Sequence, residues 1–130
     1  MIVVNTSALV AILMGEPEAE IFSDLIGDDD APHASTFTLF EARTVLSFRG
    51  GTAKRDQFEE WLRMARMAAV PFDENHSALA FEGYRRFGKG NHPARLNLGD
   101  CAAYALAKEL DAPLLFKGED FARTDVRRAL

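Results

Sequence analysis

Residues 1–14, MIVVNTSALVAILM, decide the fold class. Ile2, Val3 and Val4 form an uncharged β-branched run, the composition of a strand buried on both faces of a parallel sheet. The run stops at Asn5. Thr6 or Ser7 can accept a backbone N–H as a helix cap, and Ala8, Leu9, Ala11, Leu13 and Met14 follow as good helix formers. A strand's carboxyl end therefore meets a helix's amino end at Asn5. Open α/β sheets bind ligands at such junctions, because side chains at strand tips leave the sheet and the helix start offers free N–H groups. Most junctions of this kind only turn the chain, so a functional role for this one rests on what recurs at later ones.

Beyond Gly15, Pro17 stands at a first-turn position between Glu16 and Glu18, and Ile21, Phe22, Leu25 and Ile26 share a helical face that ends at Gly27 and the acidic run Asp28 to Asp30. That run reads as a solvated turn, since neighbours in a loop seldom converge on one ion. Pro32 to Ser35 is a second strand. Thr36 or Thr38 caps a helix to Arg49, Gly50-Gly51 breaks it, and Thr52 to Met67 returns as its antiparallel partner. Ala68 to Phe72 is a third strand, Asn75 to Phe87 a helix, and Gly88 to Leu98 a long basic loop. A helix from Cys101 to Leu110 and a strand from Leu114 to Phe116 follow, with Thr124 to Val126 as a short last strand. Strands alternating with helices predict one α/β domain over residues 1–130, a three-layer α/β/α arrangement about a mainly parallel sheet.

The chain has 15 Lys and Arg against 20 Asp and Glu, a net charge of −5, the wrong sign for generic binding to nucleic acid. Carboxylates that hold a cation would count as negative in that sum and act as positive once loaded. No window approaches the apolar length of a membrane span, and no basic leader precedes the first strand, so a cytoplasmic protein without a membrane role is expected. Cys101 has no partner for a disulfide or a zinc site and reads as a small buried residue.

Asn5, Asp100 and Asp120 fall at strand ends or a helix start, and Glu41 lies in a helix amid Phe37, Phe40 and Val45. All carboxyl ends of a parallel sheet lie along one edge, so these residues can converge. Acids gathered there repel one another unless a cation neutralises them, which points to Mg²⁺ or Mn²⁺ with waters left for a phosphate and a nucleophile. Each has an ordinary reading beside this one: Asp100 as a helix cap, Glu41 as a snorkelling surface acid, Asp120 as a cap for a helix at Phe121 with Glu119 as rival ligand.

The segments VVNTSALVAIL, FTLFEA around Glu41, LNLGDCAAYALAKE around Asp100 and PLLFKGEDFARTDV at the end resemble, in order and over essentially the whole chain, the PIN-domain family, specifically the VapC toxins of bacterial toxin–antitoxin pairs. The resemblance implies a Mg²⁺- or Mn²⁺-dependent endoribonuclease, with Glu41 and Asp100 as metal-site acids, Asp120 or its neighbour Glu119 as the fourth, and Thr6 or Ser7 as helpers. It implies a VapB-type antitoxin as partner, RNA as substrate, a homodimer, and operator DNA reached only through the antitoxin complex. One position departs from the pattern: the family's first acid is Asp, in Asp-Thr-Ser, where this chain has Asn5. A neutral amide there preserves shape and lowers cation affinity, so the expectation is an impaired nuclease, by introduced or natural substitution, with a silent PIN module that binds antitoxin or RNA as the alternative. A haloacid-dehalogenase phosphatase would need an acid at Ser7, and a phosphorelay receiver an acid pair near Asn5; neither is present.

Overall fold

The computed structural model describes all residues from Met1 to Leu130. In chain order it contains β1 (Ile2–Val4), α1 (Thr6–Leu13), α2 (Ala19–Asp28), β2 (Pro32–Ser35), α3 (Thr36–Ala65), β3 (Ala68–Val70), α4 (Glu74–Phe87), α5 (Leu98–Leu110), β4 (Leu114–Leu115) and a 3₁₀ turn at Phe121–Arg123. The strands form one parallel sheet in the order β3-β2-β1-β4. No helix is long and apolar enough to cross a membrane.

Strand β1 sits inside the sheet, and its alternation separates two cores. Ile2 and Val4 pack with Leu9, Leu13, Phe22, Ile26, Leu46 and Phe58 from α1, α2 and α3. Val3 faces the other way, into Phe87, Tyr104, Leu106 and Phe116 around α4 and α5. Both layers are therefore covered, which is why β1 carries no polar residue. Cys101 is buried, as its lack of partners predicted.

The helical pair expected from Gly50-Gly51 is present as two arms of α3. Gly51 adopts φ 67° and ψ −160°, a backbone that side chains resist, and the chain reverses there. Arg43 and Glu59, on opposite arms, close the hairpin through forked hydrogen bonds of 2.9 to 3.1 Å. Phe58 is fully buried between the arms and the sheet, whereas Phe40, Phe48 and Met64 stand exposed.

Four expectations need correction. The third strand ends at Val70 rather than Phe72, because Pro71 has no N–H to continue the ladder. The last strand stops at Leu115, one residue short of Phe116. Residues 124–126 form no strand: the Thr124 hydroxyl donates to the Phe121 carbonyl at 2.7 Å and accepts from the Val126 N–H at 3.4 Å, and these local bonds replace a ladder. The chain touches the sheet edge only afterwards, at a bridge between Leu114 and Arg128. Helix caps also shift. Asn5, not Thr6 or Ser7, occupies the α1 cap position, Ser35 rather than Thr36 caps α3, and Asn97 rather than Asp100 caps α5.

Candidate metal and nucleic-acid cleft

At the carboxyl edge of the sheet lies a cleft of about 510 Å³, lined among others by Asn5, Thr6, Ser7, Glu41, Asp100 and Asp120. Each arrives on a different element. Asn5 ends β1, where its N–H donates to the Leu115 carbonyl at 2.9 Å. Asp120 lies beyond β4, after a turn in which Gly118 takes φ 97°. Glu41 lies in the second turn of α3, and Asp100 in the first turn of α5. Glu119 points elsewhere, into a smaller hollow with Phe22, Phe116 and Arg128. Of the two rival acids, Asp120 is the one in the cleft.

The helix-forming residues at the mouth act on these groups. Asn5 is 2% exposed; its Nδ2 donates to Ser7 Oγ at 2.9 Å and to Asp100 Oδ1 at 3.4 Å, while its Oδ1 is buried without a partner. Ser7 Oγ also accepts the Lys117 backbone N–H at 3.0 Å, which ties β4's continuation to α1. The Thr6 hydroxyl donates to Glu41 Oε1 at 2.5 Å and fixes that carboxylate over the helix start. Asp100 and Asn97 form a reciprocal capping box, Asp100 Oδ2 accepting from the Asn97 N–H at 3.1 Å and Asn97 Oδ1 from the Asp100 N–H at 2.8 Å. Gly99 is part of the site for a steric reason: a Cβ there would collide with the Glu41 carboxylate.

Burial pushes the Asp100 carboxyl up from 3.8 to about 6; the bond from Asn97 opposes this, and the charges of Glu41 and Asp120 add to it. No three Asp, Glu, His or Cys side chains stand close enough together to hold a metal ion as they are. The donor chemistry nevertheless fits a hard divalent cation: an oxygen-only set, one carboxylate driven towards its protonated form by burial and, less, by like charges, and one buried amide oxygen with no partner. Sequence reasoning missed Gly99, the direct grip of Thr6 on Glu41, and the cations of the cleft, Arg49 and Lys117. The four-residue spacing of Glu41, Val45 and Arg49, which puts them on one face of α3, was the available signal for Arg49.

A family model described as "PIN domain" matches residues 2–127. The chain is 46% identical over 124 residues to "Ribonuclease VapC" of Mycolicibacterium smegmatis, covering 95% of this chain and 96% of that protein. Among solved structures it resembles VapC20 of Mycobacterium tuberculosis, described as a sarcin-ricin loop cleaving toxin, with a TM-score of 0.79 and 18% identity over 97% of this chain and 96% of the other. It also resembles VapBC2 of Rickettsia felis bound to a promoter DNA fragment, with a TM-score of 0.75 and 15% identity over 98% and 96% of the two chains. At these identities, the two structures bear on the fold alone.

Proposed function

Because the chain belongs to the PIN-domain family, as a VapC-type ribonuclease toxin of a toxin–antitoxin pair, we propose that its cleft hydrolyses RNA phosphodiesters with a bound Mg²⁺ or Mn²⁺, weakly in this sequence because of Asn5. The supporting observation is the convergence of Glu41, Asp100 and Asp120 on one cleft beside the unpaired Asn5 Oδ1. These four residues would hold the cation. When bound, it would supply positive charge to the phosphate and lower the pKa of a water nucleophile.

The chain's own side chains set the conditions for this. Thr6 holds the Glu41 carboxylate at one orientation, and Gly99 leaves room for it. Ser7 and the Lys117 N–H fix the tip of β1 against the segment that carries Asp120. Asp100, its carboxyl raised by burial to about 6, is mostly ionised at neutral pH, and proton and cation compete for it just below that. The Asn5 amide satisfies part of that charge by donating to Asp100, and so favours the metal-free state. This same contact favours the second reading, a catalytically silent module kept for antitoxin or RNA binding.

Membership among the VapC-type toxins supports a VapB-type antitoxin as partner. A homodimer, operator DNA reached through the antitoxin and a cytoplasmic location complete the proposal. The deciding experiment is RNA cleavage by the chain and by its Asn5→Asp variant, with Mg²⁺ or with chelator. The variant is expected to cleave on the order of a hundredfold to a thousandfold faster, the scale of one lost electrostatic stabiliser. Asp100→Asn in that background should abolish the gain. An inert Asn5→Asp protein favours the silent module; full activity with Asn5 would remove this residue from the site.

A further inference from the structure

The cleft is lined by groups of opposite charge. Beside Glu41, Asp100 and Asp120 stand Arg49 and Lys117, the two cations among the lining residues, with Glu16 against both. Lys117 Nζ donates to Glu16 Oε1 at 2.9 Å and lies 3.5 Å from Glu18 Oε1, and Arg49 Nη1 lies 4.0 Å from Glu16 Oε2. Glu41 and Arg49 are two helical repeats apart on one face of α3, a run of about 12 Å. Arg49 and Lys117 are the only cationic side chains among the lining residues, so on a chain of net charge −5 they are where protein side chains can attract a polyanion in this cleft.

We propose that Lys117 and Arg49 form a backbone-phosphate subsite, away from the scissile bond, for the RNA strand that this cleft accepts, and that Glu16 occupies both cations until RNA displaces it. The inference rests on the function proposed above and adds to it where the strand is gripped. The Glu16 bond raises the Lys117 pKa further, so its charge is complete at neutral pH. Glu16 is only partly buried, and its one bond to Lys117 and its looser 4.0 Å approach to Arg49 are replaceable by phosphate oxygens. In the free protein the carboxylate keeps the cations oriented into the cleft. It also discriminates, because a ligand with one weak charge would not compete for them.

The test is binding of a labelled single-stranded RNA, followed by fluorescence anisotropy over a range of salt, with RNA integrity checked on a gel after each titration. Lys117→Gln and Arg49→Gln should each weaken binding several-fold and flatten the slope of log affinity against log salt by about 0.7. Lys117→Arg should retain the slope. Lys108→Gln, which alters a cation paired with Asp125 outside the cleft, should not change it. Glu16→Gln should tighten binding, and should lose that effect in the Lys117→Gln, Arg49→Gln background. An unchanged slope in both single variants, or an equal loss in Lys108→Gln, overturns the subsite. Persistence of the Glu16→Gln gain without the cations overturns the occupancy by Glu16. Absence of RNA binding to the unaltered chain overturns the proposed function itself.

Discussion

Substituting Asp for Asn5 should destabilise the protein without metal and let a cation restore it. Asn5 is 2% exposed, so a carboxylate there has almost no water. The Nδ2 donor that lies 3.4 Å from Asp100 Oδ1 would become an oxygen facing an oxygen. At that separation two charges in an effective dielectric of about 20 repel by about 5 kcal/mol. A rotated Ser7 hydroxyl can donate to the new carboxylate and return about 1 kcal/mol. The net cost at pH 8 is therefore about 4 kcal/mol, which is of the same order as the whole stability of many domains of this size. The pair would titrate as one unit, with its folded-state affinity for a proton raised above the unfolded value. A raised acid leaves stability intact at low pH and removes it as pH climbs through the folded pKa, so the deficit should be small near pH 4.5 and complete by pH 8. Urea unfolding followed by circular dichroism measures it, with chelator or with Mg²⁺. Cation at about a hundred times its dissociation constant should return about 2.7 kcal/mol to the variant and much less to the Asn5 protein. Equal stability of the two proteins at pH 8 in chelator, or equal stabilisation by Mg²⁺, would refute the placement of position 5 beside Asp100 in a cation site.

Asp100→Asn should stabilise the metal-free protein at pH 8 by up to about 3 kcal/mol, the cost implied by a carboxyl moved from 3.8 to about 6, and should do nothing below pH 3.5; thermal melts at the two pH values check this. Gly99→Ala should fold normally, since only the end of the Glu41 side chain must yield, yet weaken Mg²⁺ binding measured by calorimetry in the Asn5→Asp background. Gly51→Ala, at φ 67° and ψ −160°, should cost about 1 to 3 kcal/mol in urea unfolding and loosen the α3 hairpin, read as faster amide exchange around Phe58.

The layers and the parallel sheet were legible because their signals are local. An uncharged β-branched triplet, a paired glycine and an alanine-rich helix each announce their state within a few residues. Asn5, Glu41, Asp100 and Asp120 could be placed at one edge by the rule that parallel strands end together, and all four line the cleft. The rest depended on side-chain competition. Which hydroxyl caps a helix and which holds a carboxylate is set by where Glu41 ends up, and Thr6 is drawn to it across 35 positions of sequence. Thr124 looked like a strand former until its hydroxyl turned back on the Phe121 carbonyl. Pro71 stood in plain view, yet the sequence reading ran the strand on to Phe72, past the missing donor that ends β3 at Val70.

Of the four strands β1 is made first, yet one of its two neighbours in the sheet, β4, is made last. Asn5 at the tip of β1 donates across 95 residues to Asp100, and Ser7 in the following helix accepts across 110 residues from the Lys117 N–H. At about 5 to 20 residues per second, a ribosome leaves that edge unpaired for roughly 5 to 20 seconds. Until then Asp100 and Asp120 are not yet gathered with Glu41 on one cleft. The same wait leaves an apolar strand edge open, and a chain that stops before residue 114 never covers it and is prone to pair edge to edge with other copies.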